Sequence, residues 1–201
     1  SMIKKYSFNL FSLLFLLAGL TPNANAQWNT LVSGTTEHFS DVEFVSPNTG
    51  YAVTDDFFNG GKIFKTSNGS TWSQVFSSPD YLFTVQFISP STGWAAGGVT
   101  PNGVILKTTN AGATWTVQTT SLKQILSICF VDENNGWAVG IDGTVGTHFI
   151  YHSTDGGVTW SQQNTGFDYL RTIDFANMND GIAAGDNGQV YTTNNGGVTW
   201  T

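Results

Sequence analysis

Charged residues are scarce in this sequence, and basic residues are the scarcest. Asp, Glu, Lys and Arg make up 10% of its 201 residues, against about 25% in an average soluble domain. After residue 26 the chain has five basic residues and fourteen acidic ones, a formal charge of 5 − 14 = −9. Nucleic acids and anionic membrane surfaces bind basic faces. The sequence therefore predicts neither of these partners.

Cysteine and helical periodicity are missing as well. Cys129 is the single cysteine, which excludes an internal disulfide, and its place in the β-rich run 127–131 (SICFV) indicates a buried strand residue. No segment repeats its apolar residues with the 3.6-residue period of an amphipathic helix. Glycine is abundant instead, at 23 residues. This pattern favours an all-β chain with many tight turns.

The N-terminal residues predict a secretory leader. Two lysines precede an apolar run over residues 10–20, and small residues follow up to Ala26. The run is too short for a membrane-spanning helix but is typical of a signal peptide cleaved after Ala26. Ser1, ahead of Met2, is interpreted as an addition before the natural start. We expect residues 1–26 to be removed, no membrane insertion afterwards, and a secreted, periplasmic or cell-surface location.

One short motif occurs four times, and its tryptophans are 43, 45 and 40 residues apart. Its copies are 66–72 (TSNGSTW), 108–115 (TTNAGATW), 153–160 (STDGGVTW) and 193–200 (TNNGGVTW). In each, the Asp or Asn can close an Asx-turn, the glycines accept positive φ, and the Trp can anchor the next strand. We predict purely structural roles for Asn68, Trp72, Asn110, Gly112, Trp115, Asp155, Gly157, Trp160, Asn195, Gly197 and Trp200. A period of this length indicates repeated small sheet units.

These residues resemble the Asp-box, or BNR repeat, whose pattern is Ser/Thr-x-Asp/Asn-x-Gly-x-Thr-Trp. In that family the box joins the third and fourth strands of a β-propeller blade and is a folding device. The resemblance covers nearly all of the chain after the leader, and the first copy is one residue short.

Between the boxes, strand-like segments recur in register. Predicted first strands cover 41–45, 84–88, 127–131 and 172–176, and second strands cover 51–53, 94–96, 137–139 and 182–184. Third strands lead into each box, and the box Trp opens the fourth strand. The sequence therefore predicts an all-β propeller of four-stranded antiparallel blades over residues 27–201, with the last blade incomplete at Thr201.

Residues 27–32 (QWNTLV) look like a fourth strand without a preceding blade. This segment could complete the fourth blade and close a ring of four, because an unpaired sheet edge is unfavourable. Alternatively, the four repeats form part of a larger ring. The second interpretation is favoured, because Asp-box propellers usually carry more than four blades.

The run 136–140 (GWAVG), together with the boxes, narrows the resemblance. The chain is similar to photosystem II stability and assembly factor-like propellers, a group that includes secreted bacterial proteins without a photosynthetic role. In the photosynthetic members an arginine-rich patch helps to bind the assembly partner, whereas Arg171 is the only arginine here. The resemblance implies a non-catalytic module for binding or assembly, with a protein as partner and a glycan as the alternative.

An enzyme is the competing hypothesis, because sialidases also carry Asp-boxes. A sialidase needs three arginines around the substrate carboxylate, which a single arginine cannot provide. Hydrolases of neutral glycans need only two carboxylates across a cleft. Asp55, Asp56, Asp142 and Asp186 follow predicted second strands, although turn formation explains them better. The alternative function is thus a glycoside hydrolase with part of its site in further blades, and a non-catalytic role is favoured.

The remaining polar clusters predict no metal and no cofactor. His148 and His152 would lie about 13 Å apart on one strand, too far to share an ion. The acidic run 132–135 lacks a full calcium-loop spacing. Recurrence in register assigns Trp94 and Trp137 to packing between blades. The candidate partner surface consists of loop aromatics: Phe57, Phe58, Tyr81, Phe167 and Tyr169, with Asp168 between the last two.

Overall fold

A computed structural model describes residues 33–56, 58–119, 122–143, 146–167 and 169–201, without the side chains of 164–167. The chain divides into two units, 1–30 and 31–201, and every described residue belongs to the second. The predicted leader, residues 1–26, and the predicted closing strand, residues 27–32, lie outside the described residues, as do Phe57 and Asp168.

The described residues form four antiparallel sheets that follow one another along the chain, which we call blades 1 to 4. Blade 1 comprises β1 (Phe39–Phe44), β2 (Gly50–Thr54), β3 (Lys62–Thr66) and β4 (Trp72–Ser77). Blade 2 comprises β5 (Leu82–Phe87), β6 (Gly93–Val99), β7 (Asn102–Thr108) and β8 (Thr116–Thr119). Blade 3 comprises β9 (Gln124–Phe130), β10 (Gly136–Asp142), β11 (Thr147–Ser153) and β12 (Ser161–Phe167). Blade 4 comprises β13 (Leu170–Phe175), β14 (Gly181–Gly185) and β15 (Val190–Thr193), with a short 3-10 turn at Asp186–Gly188.

Each blade is a meander in which every strand pairs with the next one along the chain. Blade 4 has three strands, and Thr192 and Thr201 exchange backbone hydrogen bonds of 2.8 and 2.9 Å where a fourth would begin. The first strands start two or three residues before their predicted bounds, because those residues pair with the ends of the second strands. Strands β8 and β12 begin one residue after the box Trp, which therefore ends the turn.

The core consists of three apolar clusters, and each one lies between two successive blades. The second strands of blades 1 to 3 are the most buried elements: all residues of β2 and nearly all of β6 and β10 are buried, whereas β14 is partly exposed. Small residues around a single aromatic ring, as in GWAAGGV of β6, let neighbouring sheets approach closely. No helix among the described residues is long and apolar enough to cross a membrane.

The first strands of successive blades lie side by side with their starts at the same end. The Ser40 hydroxyl at the start of β1 donates to the Leu82 carbonyl at the start of β5 over 2.7 Å, and Glu43 near the end of β1 bonds to Phe87 at the end of β5. This alignment gives the blades two edges. We call the edge with the first-strand starts and the second-to-third strand connections the charged edge, and the edge with the four boxes the box edge.

Candidate functional site

The box of blade 3 is a closed hydrogen-bonded turn centred on Asp155. The Thr159 backbone N–H donates to Asp155 Oδ1 over 2.8 Å, and the Thr159 hydroxyl donates to Oδ2 over 2.6 Å. The Ser153 hydroxyl donates to Asp155 Oδ1 and accepts from the Gly157 N–H, both over 2.9 Å. Burial alone would raise the pKa of Asp155, but the Thr159 and Ser153 donors outweigh it and hold the pKa below its ordinary value.

In blades 2 and 4, an asparagine closes the box turn in place of the aspartate. Asn110 Oδ1 accepts from the Thr114 N–H over 2.9 Å, and its Nδ2 donates back to the Thr114 hydroxyl over 2.9 Å. Asn195 and Thr199 repeat this exchange at 3.0 and 2.8 Å. A neutral amide and a carboxylate therefore close the same turn, and the box function does not require a charge.

The box of blade 1 lacks one of the two left-handed residues found in the other turns. In blade 2 these are Ala111 (φ 58°) and Gly112 (φ 75°), whereas blade 1 has only Gly69 (φ 71°). Asn68 Oδ1 compensates by accepting from both the Ser70 and Thr71 N–H groups over 2.9 Å. The shorter copy is thus a tighter turn that keeps its central Asn.

The box tryptophans pack edge-on against the phenylalanine that ends the first strand of the same blade. The pairs and their ring-centroid distances are Phe44–Trp72 (5.9 Å), Phe87–Trp115 (5.9 Å), Phe130–Trp160 (5.8 Å) and Phe175–Trp200 (5.8 Å). Edge-to-face contact is the favoured geometry for such ring pairs. Each box thereby fixes the end of its own first strand.

In blades 2 to 4, the opposite side of this phenylalanine stacks on an aromatic ring of the preceding blade. The stacked pairs are Tyr51–Phe87 at 3.9 Å, Trp94–Phe130 at 3.8 Å and Trp137–Phe175 at 3.7 Å. The same three rings donate to a carbonyl of the next box: Tyr51 Oη to Ala111 (2.8 Å), Trp94 Nε1 to Gly156 (2.9 Å) and Trp137 Nε1 to Gly196 (3.1 Å). Trp94 and Trp137 are fully buried in these interfaces. They are packing residues between blades, not platforms for a sugar.

A polar bridge between blades accompanies each stack, and the sequence motifs did not reveal it. Glu43 accepts from the Phe87 N–H of blade 2, and Gln86 Oε1 accepts from the Phe130 N–H of blade 3 over 2.6 Å. Gln86 also donates from Nε2 to the Phe130 carbonyl over 3.3 Å. One side chain per blade thus satisfies the backbone of the next first strand.

Cys129 occupies this bridging position in blade 3. Its Sγ accepts from the Phe175 N–H over 3.3 Å and donates to Asp174 Oδ1 over 3.4 Å. Burial raises the pKa of the Cys129 thiol to about 11, so the thiol stays protonated near neutral pH. Burial likewise raises the pKa of Glu43, from 4.5 to about 7, against the lowering effect of the Phe87 N–H, with nearby Asp41 raising it further.

Three ion pairs and one hydrogen bond between a histidine and a carboxylate lie at the charged edge among the described residues. They are Lys62–Glu37, His38 Nδ1–Asp55 (2.7 Å), Lys123–Asp142 (2.8 Å) and Arg171–Asp186 (2.7 Å). The last pair is bidentate, because Arg171 Nε also lies 3.1 and 3.2 Å from the two Asp186 oxygens. These hydrogen bonds hold the pKa of Asp186 below its ordinary value. The charged edge therefore presents both signs of charge.

The structure assigns a separate contact to each carboxylate that follows a second strand. Asp142 and Asp186 belong to ion pairs with Lys123 and Arg171, Asp55 is hydrogen-bonded to His38, and Asp56 accepts from the N–H groups of Phe58 and Asn59 over 2.8 and 3.0 Å. Asp56 thus makes the turn contacts that the sequence favoured, whereas the partners of the other three were not predicted.

His148 and His152, which the sequence predicted to be too far apart to share a metal ion, both lie on β11. His148 is buried, with its ring centroid 6.4 Å from that of Tyr169, and His152 stacks on Trp137 at 4.5 Å. Burial lowers the pKa of His152, which keeps it neutral at physiological pH. Within the described ranges, no group of three His, Cys, Asp or Glu side chains could hold a metal ion. Asp132 instead accepts from the Asn134 and Asn135 N–H groups over 2.8 and 2.7 Å and closes a turn.

The described loop aromatics also extend from the charged edge. Phe58 is 90% exposed in the connection between β2 and β3, and Tyr169 is 50% exposed immediately before β13. Tyr169 has a φ of 64°, which is uncommon for a residue with a large side chain. Its carbonyl accepts from the Asp186 N–H over 2.8 Å, so the backbone of Tyr169 lies next to the residue that pairs with Arg171. Tyr81 occupies the same position before β5, where its carbonyl accepts from the Gly98 N–H over 2.9 Å.

No protein-family model and no curated protein matches the sequence. Among solved structures, YCF48 bound to a D1 peptide is 26% identical over 60% of this chain and 38% of that chain, with a TM-score of 0.50. A Niastella koreensis GH74 enzyme has a TM-score of 0.63 at 20% identity, over 84% of this chain and 31% of that one. An ancestral GH74 enzyme has a TM-score of 0.64 at 20% identity, over 86% and 25%.

The chain spans well under half the length of these three structures. Similarity at 20% identity shows the fold alone, so the two GH74 enzymes carry no catalytic assignment to this chain. Together with the four meander sheets and the contacts between them, the comparisons show the predicted architecture: the chain has the all-β fold of propeller blades, arranged as part of an unclosed ring.

Proposed function

We propose that this chain is the propeller of a secreted, non-catalytic protein-binding or assembly module of the photosystem II assembly factor-like type, with Asp-box blades. The observation that carries the proposal is the composition of the charged edge. Its carboxylates are held in ion pairs or turns, and exposed Phe58 and Tyr169 rings lie at the same edge. Mixed charges with exposed aromatic rings are typical of surfaces that bind polypeptides.

The part of this edge best suited to a peptide is the Tyr169, Arg171 and Asp186 cluster. Arg171 and Asp186 are well exposed, and the guanidinium has further N–H donors beyond those that contact Asp186. Tyr169 offers a large ring with little side-chain entropy to lose on binding. The backbones of Gly185 and Tyr169 pack closely, because a Cβ at Gly185 would lie 1.8 Å from the Tyr169 carbonyl oxygen. This contact fixes the backbone from which the Tyr169 side chain extends.

Two other features support this class of function. YCF48, at 26% identity, has been solved bound to a D1 peptide, which supports peptide binding as a proposal for a similar set of blades. The predicted leader agrees with a propeller that is exported. The single arginine, Arg171, argues for a partner other than that of the arginine-rich photosynthetic members.

Selection from a random peptide library displayed on phage, with the immobilised 201-residue chain as bait, tests the proposal. The affinity of the selected peptides would then be measured by fluorescence anisotropy. We expect Tyr169→Ala and Arg171→Ala each to weaken binding about tenfold or more. Lys65→Ala, which removes a cation from the box edge, is the matched control and should leave the affinity unchanged.

Two outcomes would overturn the proposal. One is a set of selected peptides whose affinity depends on Lys65 and not on Tyr169 or Arg171, which would assign recognition to the opposite edge. The other is release of reducing sugar from a neutral polysaccharide by the purified chain, with loss of that activity in Asp142→Asn or Asp186→Asn. That result would support the glycoside hydrolase instead.

A further inference from the structure

Asparagine followed by glycine is a step at which a polypeptide can deamidate spontaneously, because glycine offers little steric hindrance to the ring closure involved. The reaction requires the backbone nitrogen of the glycine to reach the side-chain carbon of the asparagine. A glycine N–H that is held in a hydrogen bond opposes this movement. The asparagines that precede a glycine in this chain are Asn59, Asn68, Asn102, Asn135, Asn187 and Asn195.

At every one of these steps except Asn187, backbone hydrogen bonding or strand pairing holds the glycine. The N–H groups of four glycines donate to carbonyls: Gly60 to Asp56 (3.0 Å), Gly69 to Asn48 (2.9 Å), Gly103 to Leu122 (2.7 Å) and Gly196 to Asn179 (2.9 Å). Gly136 is a residue of β10 that pairs with Phe130 on one side and with Ser153 on the other. Ring closure at these steps must first break the local backbone structure.

The Asn187–Gly188 step is held much less firmly. Both residues are exposed and lie in the 3-10 turn between β14 and β15. Among the described residues, neither the Asn187 side chain nor the Gly188 N–H makes a hydrogen bond. The turn is closed instead by the Gln189 N–H, which donates to the Asp186 carbonyl over 3.1 Å. Both reacting groups are therefore available.

The space around the glycines distinguishes the same step. A Cβ at Gly60 or at Gly103 would lie 2.2 Å from a backbone oxygen of a neighbouring segment, and one at Gly196 would lie 2.9 Å from the Met178 carbonyl oxygen. A Cβ at Gly188 would meet nothing within 4 Å. Ring closure must rotate the peptide between Asn187 and Gly188, and this peptide has room to turn without displacing a neighbouring strand.

We propose that Asn187 is a site of spontaneous deamidation in the folded chain. The Gly188 backbone nitrogen loses its proton and attacks Asn187 Cγ, which forms a C–N bond and closes a succinimide ring. The Cγ–Nδ2 bond breaks, and ammonia leaves with the proton. Water then opens the ring at either of its two carbonyls and leaves aspartate or isoaspartate at position 187. The balance is one water consumed and one ammonia released, without oxidant or reductant.

The product carries a new negative charge at the charged edge, one residue from Asp186. Asp186 is the partner of Arg171, whose side chain is 57% exposed. A further carboxylate in this turn should weaken the binding of acidic peptides through Arg171. This consequence rests on the proposed function, whereas the modification itself does not.

Ageing of the full chain at pH 8, followed by peptide mapping with mass spectrometry, tests the site. Trypsin leaves residues 172–201 as one peptide that carries both Asn187 and Asn195, and fragmentation assigns the product at each position. In the folded chain we expect Asn187 to deamidate at least about tenfold faster than Asn195 or Asn102, because local opening at those two steps breaks backbone hydrogen bonds. In urea the rates should converge, since the chemical step is then the same at each position.

Ion-exchange chromatography follows the same reaction through its charge. The wild-type chain should convert with time to a form with an additional negative charge. Asn187→Gly, which tolerates the left-handed φ of 57° at this position, should abolish the conversion. Asn102→Ser, at another exposed step, is the matched control and should leave the conversion unchanged. Comparable rates at Asn187 and Asn195 in the folded chain, or a reaction that occurs only in urea, would overturn the proposal.

Discussion

Asp155 is the only charged residue at the centre of a box, which makes its contribution separable by mutation. Asp155→Ala removes the acceptors of the Thr159 N–H and hydroxyl and of Ser153. We expect the free energy of unfolding to fall by about 1 kcal/mol, as for the loss of a helix or turn cap. Urea denaturation at a fixed protein concentration measures this change. Asp155→Asn, which reproduces the other three boxes, should cost much less.

The same pair of variants predicts a difference in acid sensitivity. The pKa of Asp155 is lower in the folded chain than in the unfolded one, so its contribution is present above the ordinary carboxyl pKa and is lost as pH falls through the lowered value. The Asp155→Asn chain should therefore lose less stability than wild type between neutral pH and about pH 3. Equal acid sensitivity of the two chains would contradict the hydrogen-bonding role of the carboxylate.

Glu43 has the opposite pH dependence, because burial in the interface between blades 1 and 2 raises its pKa from 4.5 to about 7. The folded chain favours the protonated carboxyl, so this stabilisation is complete below pH 4.5 and is lost as pH rises through about 7. Glu43→Gln should leave stability at pH 5 nearly unchanged and raise it by about 1 kcal/mol at pH 8, a figure reduced for partial solvent exposure. Urea denaturation at both pH values measures it.

Gln86 supports this expectation, because it occupies the same position in blade 2 and bonds both the N–H and the carbonyl of Phe130. A glutamine at position 43 can make the same two bonds to Phe87. The matched control is Glu133→Gln in an exposed turn, which should not change the pH dependence. A Glu43→Gln chain that is less stable than wild type at pH 8 would show that the carboxylate form is the stabilising one.

At the scale of an element, the box tryptophan connects the turn to the first strand of its blade. Trp115 is buried against Phe87, which itself stacks on Tyr51 of blade 1. We expect Trp115→Ala to lower the free energy of unfolding by about 3–5 kcal/mol, because it leaves a cavity in a two-sided interface. Trp72→Ala, where Phe44 is half exposed, should cost at most about half as much. Equal losses in urea denaturation would contradict this placement.

The elements that the sequence predicted well are those defined by local chemistry. The boxes are recognisable because Asp or Asn, glycine and Trp each serve the turn that contains them, and the strand-like runs flank these turns at fixed spacings. The predicted strand bounds were less accurate. The first strands begin two or three residues earlier than predicted, because those residues pair with the ends of the second strands. The polar bridges between blades were not predictable: Glu43, Gln86 and Cys129 are three different residue types, and only the assembled blades show their common position.

At the charged edge, where the candidate site lies, the sequence likewise did not predict contacts between distant residues. The aspartates after the second strands were identified from the sequence, but their partners were not. Lys123 and Asp142 are 19 residues apart in the chain, and Arg171 and Asp186 are 15 residues apart, so neither pair follows a local spacing rule. Antiparallel pairing of first and second strands brings each pair together. A motif therefore predicts the turns of this fold, whereas the surface chemistry depends on strand register.

At the scale of the whole molecule, the described residues of blades 2 and 3 pack against another blade on both faces, whereas those of blades 1 and 4 pack against one blade. Local stability of the 201-residue chain should follow this order. We expect backbone amides of β6 and β10 to exchange with deuterium at least about tenfold more slowly than those of β2 and β14, a difference of about 1.4 kcal/mol in opening free energy. Hydrogen exchange with mass spectrometry resolves these strands.

Equal protection of all four second strands would contradict this expectation. The blades would then open together, and cooperativity would exceed what contacts between neighbouring blades can explain.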